Sequence, residues 1–299
     1  MQEDRVKIAV IGAGKWGSAL AHAFSFNNEV VISSRHKRDV ANFIPLKEAL
    51  EYNYLVMAIP TQFVRGFMQE HFKNRGQKIL VAAKGIEVSS GKFLNEVYSD
   101  FVHESQLSFL SGPSFAAEVM QSLPTALVVS SHNKELATTF AKAMPKFIKA
   151  YTDEDVIGAE VAGAYKNVIA IAAGVCEGLE LGNNARAALI SRGLVEMARF
   201  GEYFGAKKDT FLSLGGAGDL FLTASSPLSR NYRVGLGLAK QKSLEDILEE
   251  LGEVAEGVAT TKALTKIAQA KNIYLPIALE VQALLEGKEP KKSLEDLLA

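Results

Sequence analysis

The stretch Val6–Gly17, VKIAVIGAGKWG, constrains the fold of this chain more than any other. An apolar, β-branched run (Val6, Ile8, Ala9, Val10, Ile11) passes directly into Gly12-Ala13-Gly14-Lys15-Trp16-Gly17, and a helical pattern follows from Ser18. A buried strand, a G-x-G-x-x-G turn and a helix are the parts of a dinucleotide-binding unit. The first glycine makes the tight turn, the second admits a pyrophosphate to the backbone, and the third lets helix and strand pack closely. The helix N-terminus then turns unpaired N–H groups and a positive dipole end toward the phosphates. A plain glycine-rich turn is the competing reading.

The rest of the first half repeats the alternation. Strand patterns at 29–33, 54–59, 78–83, 107–110, 125–130 and 147–151 are separated by helical patterns at 18–26, 46–52, 62–72, 93–101, 115–120 and 134–144. The runs at 6–11, 54–59 and 78–83 are almost continuously apolar, as strands are when helices cover both faces of a parallel sheet. From Asp153 or Asp155, either of which can cap a helix, a long apolar helical pattern runs to Leu181, where Gly182-Asn183 reads as its stop. Everything beyond reads helical. The expectation is an α/β chain: a Rossmann-like doubly wound sheet over 1–155, then an all-helical domain over 156–299. Lys242-Ser243-Leu244-Glu245-Asp246 recurs as Lys292-Ser293-Leu294-Glu295-Asp296 and reads as two serine-capped helix starts.

Composition excludes several classes. A net charge of −1 shows no global bias toward nucleic acid or an anionic membrane. The single cysteine, Cys176, forbids an internal disulfide and sits in an apolar run, as a small buried hydrophobe does. The start lacks the apolar core of an export signal, and no run approaches the roughly 18 consecutive apolar residues of a membrane span. A cytoplasmic chain without a metal site is expected.

Candidate chemistry gathers at strand ends and helix starts. The second strand ends Ser33-Ser34-Arg35-His36-Lys37-Arg38, without the acid that usually holds a ribose 2′-hydroxyl. Hydroxyls and cations suit a 2′-phosphate, with Arg35 foremost, which favours NADP(H) without excluding NAD(H); a solvated basic loop has the same composition. Lys84-Gly85 follows the strand at 78–83, where Lys84 is either a solvated lysine or a ligand-facing cation. Lys166 lies in the apolar helix Ala162–Ala170, with Ala162, Gly163, Ile169 and Ala170 as helical neighbours, so no local carboxylate pairs with it. It must reach water along the helix edge or meet polar groups from elsewhere. Burial and a second cation would both lower its pKa into the range of a general acid/base. Asp219 follows a glycine-rich break, and Ser229-Arg230-Asn231 opens a helix, where Arg230 is a mere helix-start residue or the guanidinium of an anion pocket.

Taken together, these residues resemble a known family. Gly12–Gly17 with Trp16, Lys84-Gly85, Gly112-Pro113-Ser114-Phe115-Ala116, Ala164-Tyr165-Lys166-Asn167, Gly216-Ala217-Gly218-Asp219-Leu220, Ser229-Arg230-Asn231 and Val254-Ala255-Glu256-Gly257 occur in the order found in bacterial NAD(P)-dependent glycerol-3-phosphate dehydrogenases. The resemblance spans nearly the whole chain. It implies hydride transfer between NAD(P)H and dihydroxyacetone phosphate, giving sn-glycerol 3-phosphate for phospholipids, in a homodimer. It also implies roles: Lys166 as proton donor/acceptor; Lys84, Gly112, Ser114, Lys166, Asp219, Ser229, Arg230 and Asn231 at the substrate. The cofactor residues it implies are Gly12, Gly14, Lys15, Trp16, Gly17, Arg35, Lys84, Ala116, Arg230, Val254 and Glu256. Two departures stand out: the segment from Arg35 to Lys84 is short for the family, and Ser114 replaces a commoner threonine. A 3-hydroxyacid dehydrogenase of related architecture and a non-catalytic NADP-sensing module are the alternatives.

Overall fold

The computed structural model describes residues 5–298; the first four residues, part of the stretch read above for an export signal, lie outside them. The chain forms two compact units. One runs through Ala83 and resumes over Leu94–Ala159; the other comprises Lys84–Phe93 and the chain from Glu160 onward.

The first unit is built on a seven-stranded sheet: β1 (Lys7–Ile11), β2 (Glu29–Ser33), β3 (Tyr54–Met57), β4 (Lys78–Val81), β5 (Leu107–Ser111), β6 (Thr125–Ser130) and β7 (Ile148–Asp153). Their order is β2-β1-β3-β4-β5-β6-β7, and every pair is parallel except β5 with β6. The strands are continuously apolar because alternate side chains feed two different cores. Ile8 and Val10 of β1 join Leu20 and Phe24 of helix α1 (Lys15–Ser25) and Phe140 on one face. Ala9 and Ile11 join Val64, Phe67, Tyr98 and Met68 on the other. The covering helices are α1, α2 (Leu46–Ala49), α3 (Val64–His71), α4 (Leu94–Ser99), α5 (Ala116–Met120) and α6 (Lys134–Ala143). The strand order reverses direction at β1, so a crevice is expected outside the carboxyl ends of β1 and β3.

The short stretch after Arg35 keeps a trace of an extra strand. Phe43 bridges to Ile32 in parallel, with Ile32 donating to the Asn42 carbonyl and Ile44 donating back to Ile32. There is room for no helix before α2.

The second unit is helical: α7 (Val156–Gly178), whose first turn still belongs to the first unit, α8 (Gly182–Tyr203), α9 (Lys208–Leu212), α10 (Asp219–Ala224), α11 (Arg230–Ala239), α12 (Leu244–Leu251), α13 (Glu256–Lys271), α14 (Pro276–Leu285) and α15 (Pro290–Leu298). Asp155 caps α7, its carboxylate accepting from the Gly158 amide at 2.8 Å. By length and composition α7 could cross a membrane, but 94% of its most apolar window is buried in protein, which makes it a core helix.

Two local expectations gain detail and one is corrected. The stop expected at Gly182-Asn183 is there, a few residues early: α7 ends at Gly178, Glu180 and Gly182 turn the chain with positive φ, and α8 starts at Gly182. The glycine-rich break before Asp219 is a wide π-type turn, Leu214–Gly218, between α9 and α10. Of the repeated pentapeptides only Ser243 caps, accepting from the Asp246 amide at 3.1 Å. Pro290 starts α15 earlier, so Ser293 lies inside it and donates to Glu280 at 2.8 Å.

Candidate functional site

In the first unit the glycine turn has the shape a dinucleotide needs. The Gly12 amide donates to the Ser33 carbonyl at 2.7 Å, and Ala58 donates to Ile11, which ties the turn to β2 and β3. Gly12 has φ +115°, and a Cβ there would run into the Ala58 carbonyl; a Cβ at Gly17 would run into the Gly12 carbonyl. Only glycine satisfies both places. Gly14, the N-cap of α1, is different: a Cβ there would meet nothing within 4 Å. The space above the first turn of α1 is therefore open, and no side chain caps that turn. An open backbone cradle at a helix N-terminus fits a pyrophosphate. Lys15 and Trp16 begin the helix, and the Trp16 indole donates to the Ala82 carbonyl at 3.2 Å, so its polar edge is anchored to the end of β4.

The other residues expected of this unit lie beyond the same carboxyl edge. Ser33 and Ser34 spend their hydroxyls on the Ile44 and His36 carbonyls, at 2.8 and 2.6 Å. Arg35, His36, Lys37 and Arg38 are exposed. Lys37 and Arg38 line an open depression of about 650 Å³ together with Asp39, Val40, Asn42 and Phe43. Past β5, the Ser114 hydroxyl donates to the Gly112 carbonyl at 3.0 Å, and Ala116 opens α5.

The second unit holds the charged cluster. Lys84, just past β4 in the chain, donates to Asp219 Oδ2 at 2.7 Å, and Lys166 donates to Asp219 Oδ1. One carboxylate thus holds two ammonium groups, one on each oxygen. All three are sequestered, with side-chain exposures of 14% for Lys84, 10% for Lys166 and 2% for Asp219. Asp219 is aimed by the π-type turn that precedes α10, and Thr223, one turn on, donates to its main-chain carbonyl at 2.7 Å. Of the two fates open to Lys166, the fold chooses the second: its partner comes from 53 residues away.

Electrostatics follow from this packing. Burial brings the Lys166 pKa down to about 8; Asp219 pulls it back up and Lys84 pushes it down further. Burial alone would raise the Asp219 carboxyl, but the two ammonium groups outweigh it and hold the group below its ordinary range. The result is a buried lysine that can hold or release a proton near neutral pH.

α11 packs on α7, the helix that carries Lys166. Its backbone touches that of α7, since a Cβ on Gly174 would strike the Tyr232 carbonyl and one on Gly235 the Ile171 carbonyl. Ser229 caps α11, accepting from the Tyr232 amide at 3.3 Å. Asn231 is buried, and its side-chain Oδ1 accepts from the Gly257 amide at 2.9 Å, joining the starts of α11 and α13. Arg230 is 41% exposed and faces Glu253 at a long 3.7 Å. Val254 stands exposed just before α13, and Glu256 is its first residue. Val254, Glu256, Arg230 and Asn231 are therefore gathered about two helix starts, a grouping their separation in sequence conceals.

Sequence reasoning passed over Glu196. It is buried in α8, accepts from the Tyr165 hydroxyl at 2.7 Å, and accepts from the Ile277 and Ala278 amides at 2.9 Å each. Burial raises its pKa, while those hydrogen bonds counter the rise. An acid within the apolar run Gly193-Leu194-Val195-Glu196-Met197 was the available signal.

Comparisons with known proteins agree with this inventory. Glycerol-3-phosphate dehydrogenase (NAD(P)+) of Sulfurimonas denitrificans is 63% identical over 98% of this chain and 99% of that protein. The protein of the same name from Campylobacter jejuni subsp. doylei is 59% identical over 98% and 99%. A crystal structure of glycerol-3-phosphate dehydrogenase from Coxiella burnetii superposes with a TM-score of 0.90 at 31% identity, covering 98% of this chain and 99% of that one. Residues 39–137 match the N-terminal part, and residues 155–295 the C-terminal part, of NAD-dependent glycerol-3-phosphate dehydrogenase. The first match begins beyond the glycine turn, so that turn is an independent sign of the same cofactor class. The chain belongs to the NAD(P)-dependent glycerol-3-phosphate dehydrogenase family.

Proposed function

We propose that this protein reversibly reduces dihydroxyacetone phosphate to sn-glycerol 3-phosphate with NAD(P)H, and so supplies the backbone of phospholipids. The observation that carries the reading is the sequestered Lys84–Asp219–Lys166 cluster. A cofactor-sensing module has no use for a buried proton donor of this kind.

The nicotinamide, when bound, supplies or accepts the hydride. As negative charge grows on the substrate oxygen, the Lys166 ammonium hydrogen-bonds that oxygen and gives up its proton. Lys84 adds a second positive charge, and Asp219 holds both ammonium groups in place without needing to reorganise. In the oxidative direction a neutral Lys166 takes the hydroxyl proton. Arg230, with Ser229 and Asn231 at the start of α11, grips the phosphate by charge and by helix N–H groups, which orients the reacting carbon by binding energy remote from it. Gly112 and Ser114 complete the substrate contacts on the family's pattern.

For the cofactor, the reading assigns Gly12, Gly14, Lys15, Trp16, Gly17, Lys84, Ala116, Arg230, Val254 and Glu256 as contacts, and Arg35 to a ribose 2′-phosphate. Exposed cations past β2 support a preference for NADPH. A cytoplasmic homodimer belongs to the same reading, carried by the family resemblance.

The test is direct: follow NADPH absorbance, and separately NADH absorbance, on adding dihydroxyacetone phosphate or a 3-keto acid. Loss of signal only with the phosphorylated ketone is expected. Turnover of the keto acid alone would replace this reading with a 3-hydroxyacid dehydrogenase.

A further inference from the structure

The charged cluster depends on a residue that has no side chain. Lys84 reaches Asp219 by laying its stem across α7 at Gly163: a Cβ built there would lie 3.2 Å from Lys84 Cγ, 3.3 Å from Cδ and 3.4 Å from Cβ. Gly163 is three residues before Lys166, so both occupy one stripe of α7 a single turn apart. Glycine is the poorest helix former after proline, and Gly163 sits inside a 23-residue helix, buried and rich in alanine. Nothing in the local helix calls for it. The Lys84 stem does.

We propose that Gly163 is a positioning residue for the reaction: its bare backbone seats Lys84 so that Lys84 and Lys166 can share the two oxygens of Asp219. The inference rests on the catalytic reading above. The contact itself belongs wholly to the second unit, because Lys84–Phe93 packs there as well: Ile86 and Phe93 are buried, and Phe93 stacks edge-on against Phe204. The segment that carries Lys84 is thus anchored by its own buried side chains. An added methyl therefore forces the stem to give by a few tenths of an ångström, and the ammonium at its end leaves the Asp219 carboxylate.

The charged groups that act on Lys166 are Asp219, from α10, and Lys84, from the segment after β4. Withdrawing Lys84 removes a like charge and frees Asp219 for Lys166 alone. Both changes let Lys166 keep its proton to higher pH.

The test is Gly163→Ala, alone and combined with Lys84→Ala, read by kinetics and by thermal unfolding. In the Gly163→Ala variant kcat for ketone reduction should fall about tenfold, less than the roughly hundredfold of a full 1 Å misplacement, with KM little changed. The alkaline limb of the reduction profile should move to higher pH. Unfolding separates seating from general packing without any reaction. Alanine should raise Tm by about 2 °C in the Lys84→Ala background, where only helix propensity acts, and fail to do so in the wild-type background. An equal rise in both backgrounds, with an unmoved pH profile, would overturn the proposal. If the wild-type protein fails to oxidise NADPH with dihydroxyacetone phosphate, the catalytic reading falls, while the unfolding cycle still decides whether Gly163 seats Lys84.

Discussion

Lys166 is a single residue whose chemistry is set by what surrounds it. With its pKa brought down to about 8, it is charged at neutral pH and loses its proton over the next two units. Ketone reduction needs the ammonium and alcohol oxidation needs the amine. Reduction by NADPH should therefore decline as pH rises through about 8, and oxidation of glycerol 3-phosphate should climb through the same range; parallel pH profiles in both directions would contradict this. Replacing Lys166 by alanine should cut turnover by about 10²–10⁴-fold, the span of general acid–base catalysis. NADPH binding, followed by fluorescence titration, should be nearly unchanged, since the glycine turn is untouched. Arg230 acts by charge on a part of the substrate that does not react. Arg230→Ala should raise KM for dihydroxyacetone phosphate by the equivalent of about 2–3 kcal/mol, the worth of a charge-assisted hydrogen bond. A steady-state KM that does not move would remove it from the phosphate site.

At the scale of elements, α7 carries Lys166 on a helix that is mostly alanine, valine, isoleucine and glycine. Apolar faces of alanine, valine and glycine define a helix's rotation weakly. Polar anchors define it sharply. One is Tyr165, whose buried hydroxyl donates to Glu196 of α8, while Glu196 also accepts from the first amides of α14. Three helices are pinned by one carboxylate. Glu196→Ala strands the Tyr165 hydroxyl and two amides in an apolar interior, and should cost about 3 kcal/mol in urea unfolding. Glu196→Gln keeps an acceptor for one of the amides and should cost distinctly less. The elements of the first unit were mostly legible: strands at 29–33 and 125–130 were read with the bounds the fold shows. Helix ends were less so. The long helix stops near Gly182 as its sequence suggests, but three residues early, at Gly178, because Glu180 takes the left-handed conformation before the next helix begins.

For the whole molecule, ligand binding and stability are linked. NADPH that binds only the folded chain should stabilise it by about 2.7 kcal/mol at a hundred times its Kd. The rise in Tm should exceed that given by NADH at equal concentration, provided Arg35 meets a 2′-phosphate; equal shifts would point to NAD(H). Protonation is linked to folding in the same way. Lys166 titrates near 8 when folded and near its ordinary 10.5 when unfolded, so between those values the unfolded chain binds the extra proton. Its contribution to stability therefore grows as pH rises across that window.

The glycine turn, the parallel sheet, the helical second half and Lys166 were all determined by sequence, because each rests on local rules: glycine where a Cβ would collide, apolar runs where both faces are covered, a charge on an apolar helix. The tertiary structure alone decided what Lys166 meets. Its carboxylate partner lies 53 residues away, the second lysine bonds that same carboxylate across a separation of 135 residues, and the reason for Gly163 appears only when the Lys84 stem is laid over it. Periodicity reports which face of a helix is apolar. It cannot report which distant charge is folded against the one polar residue on that face.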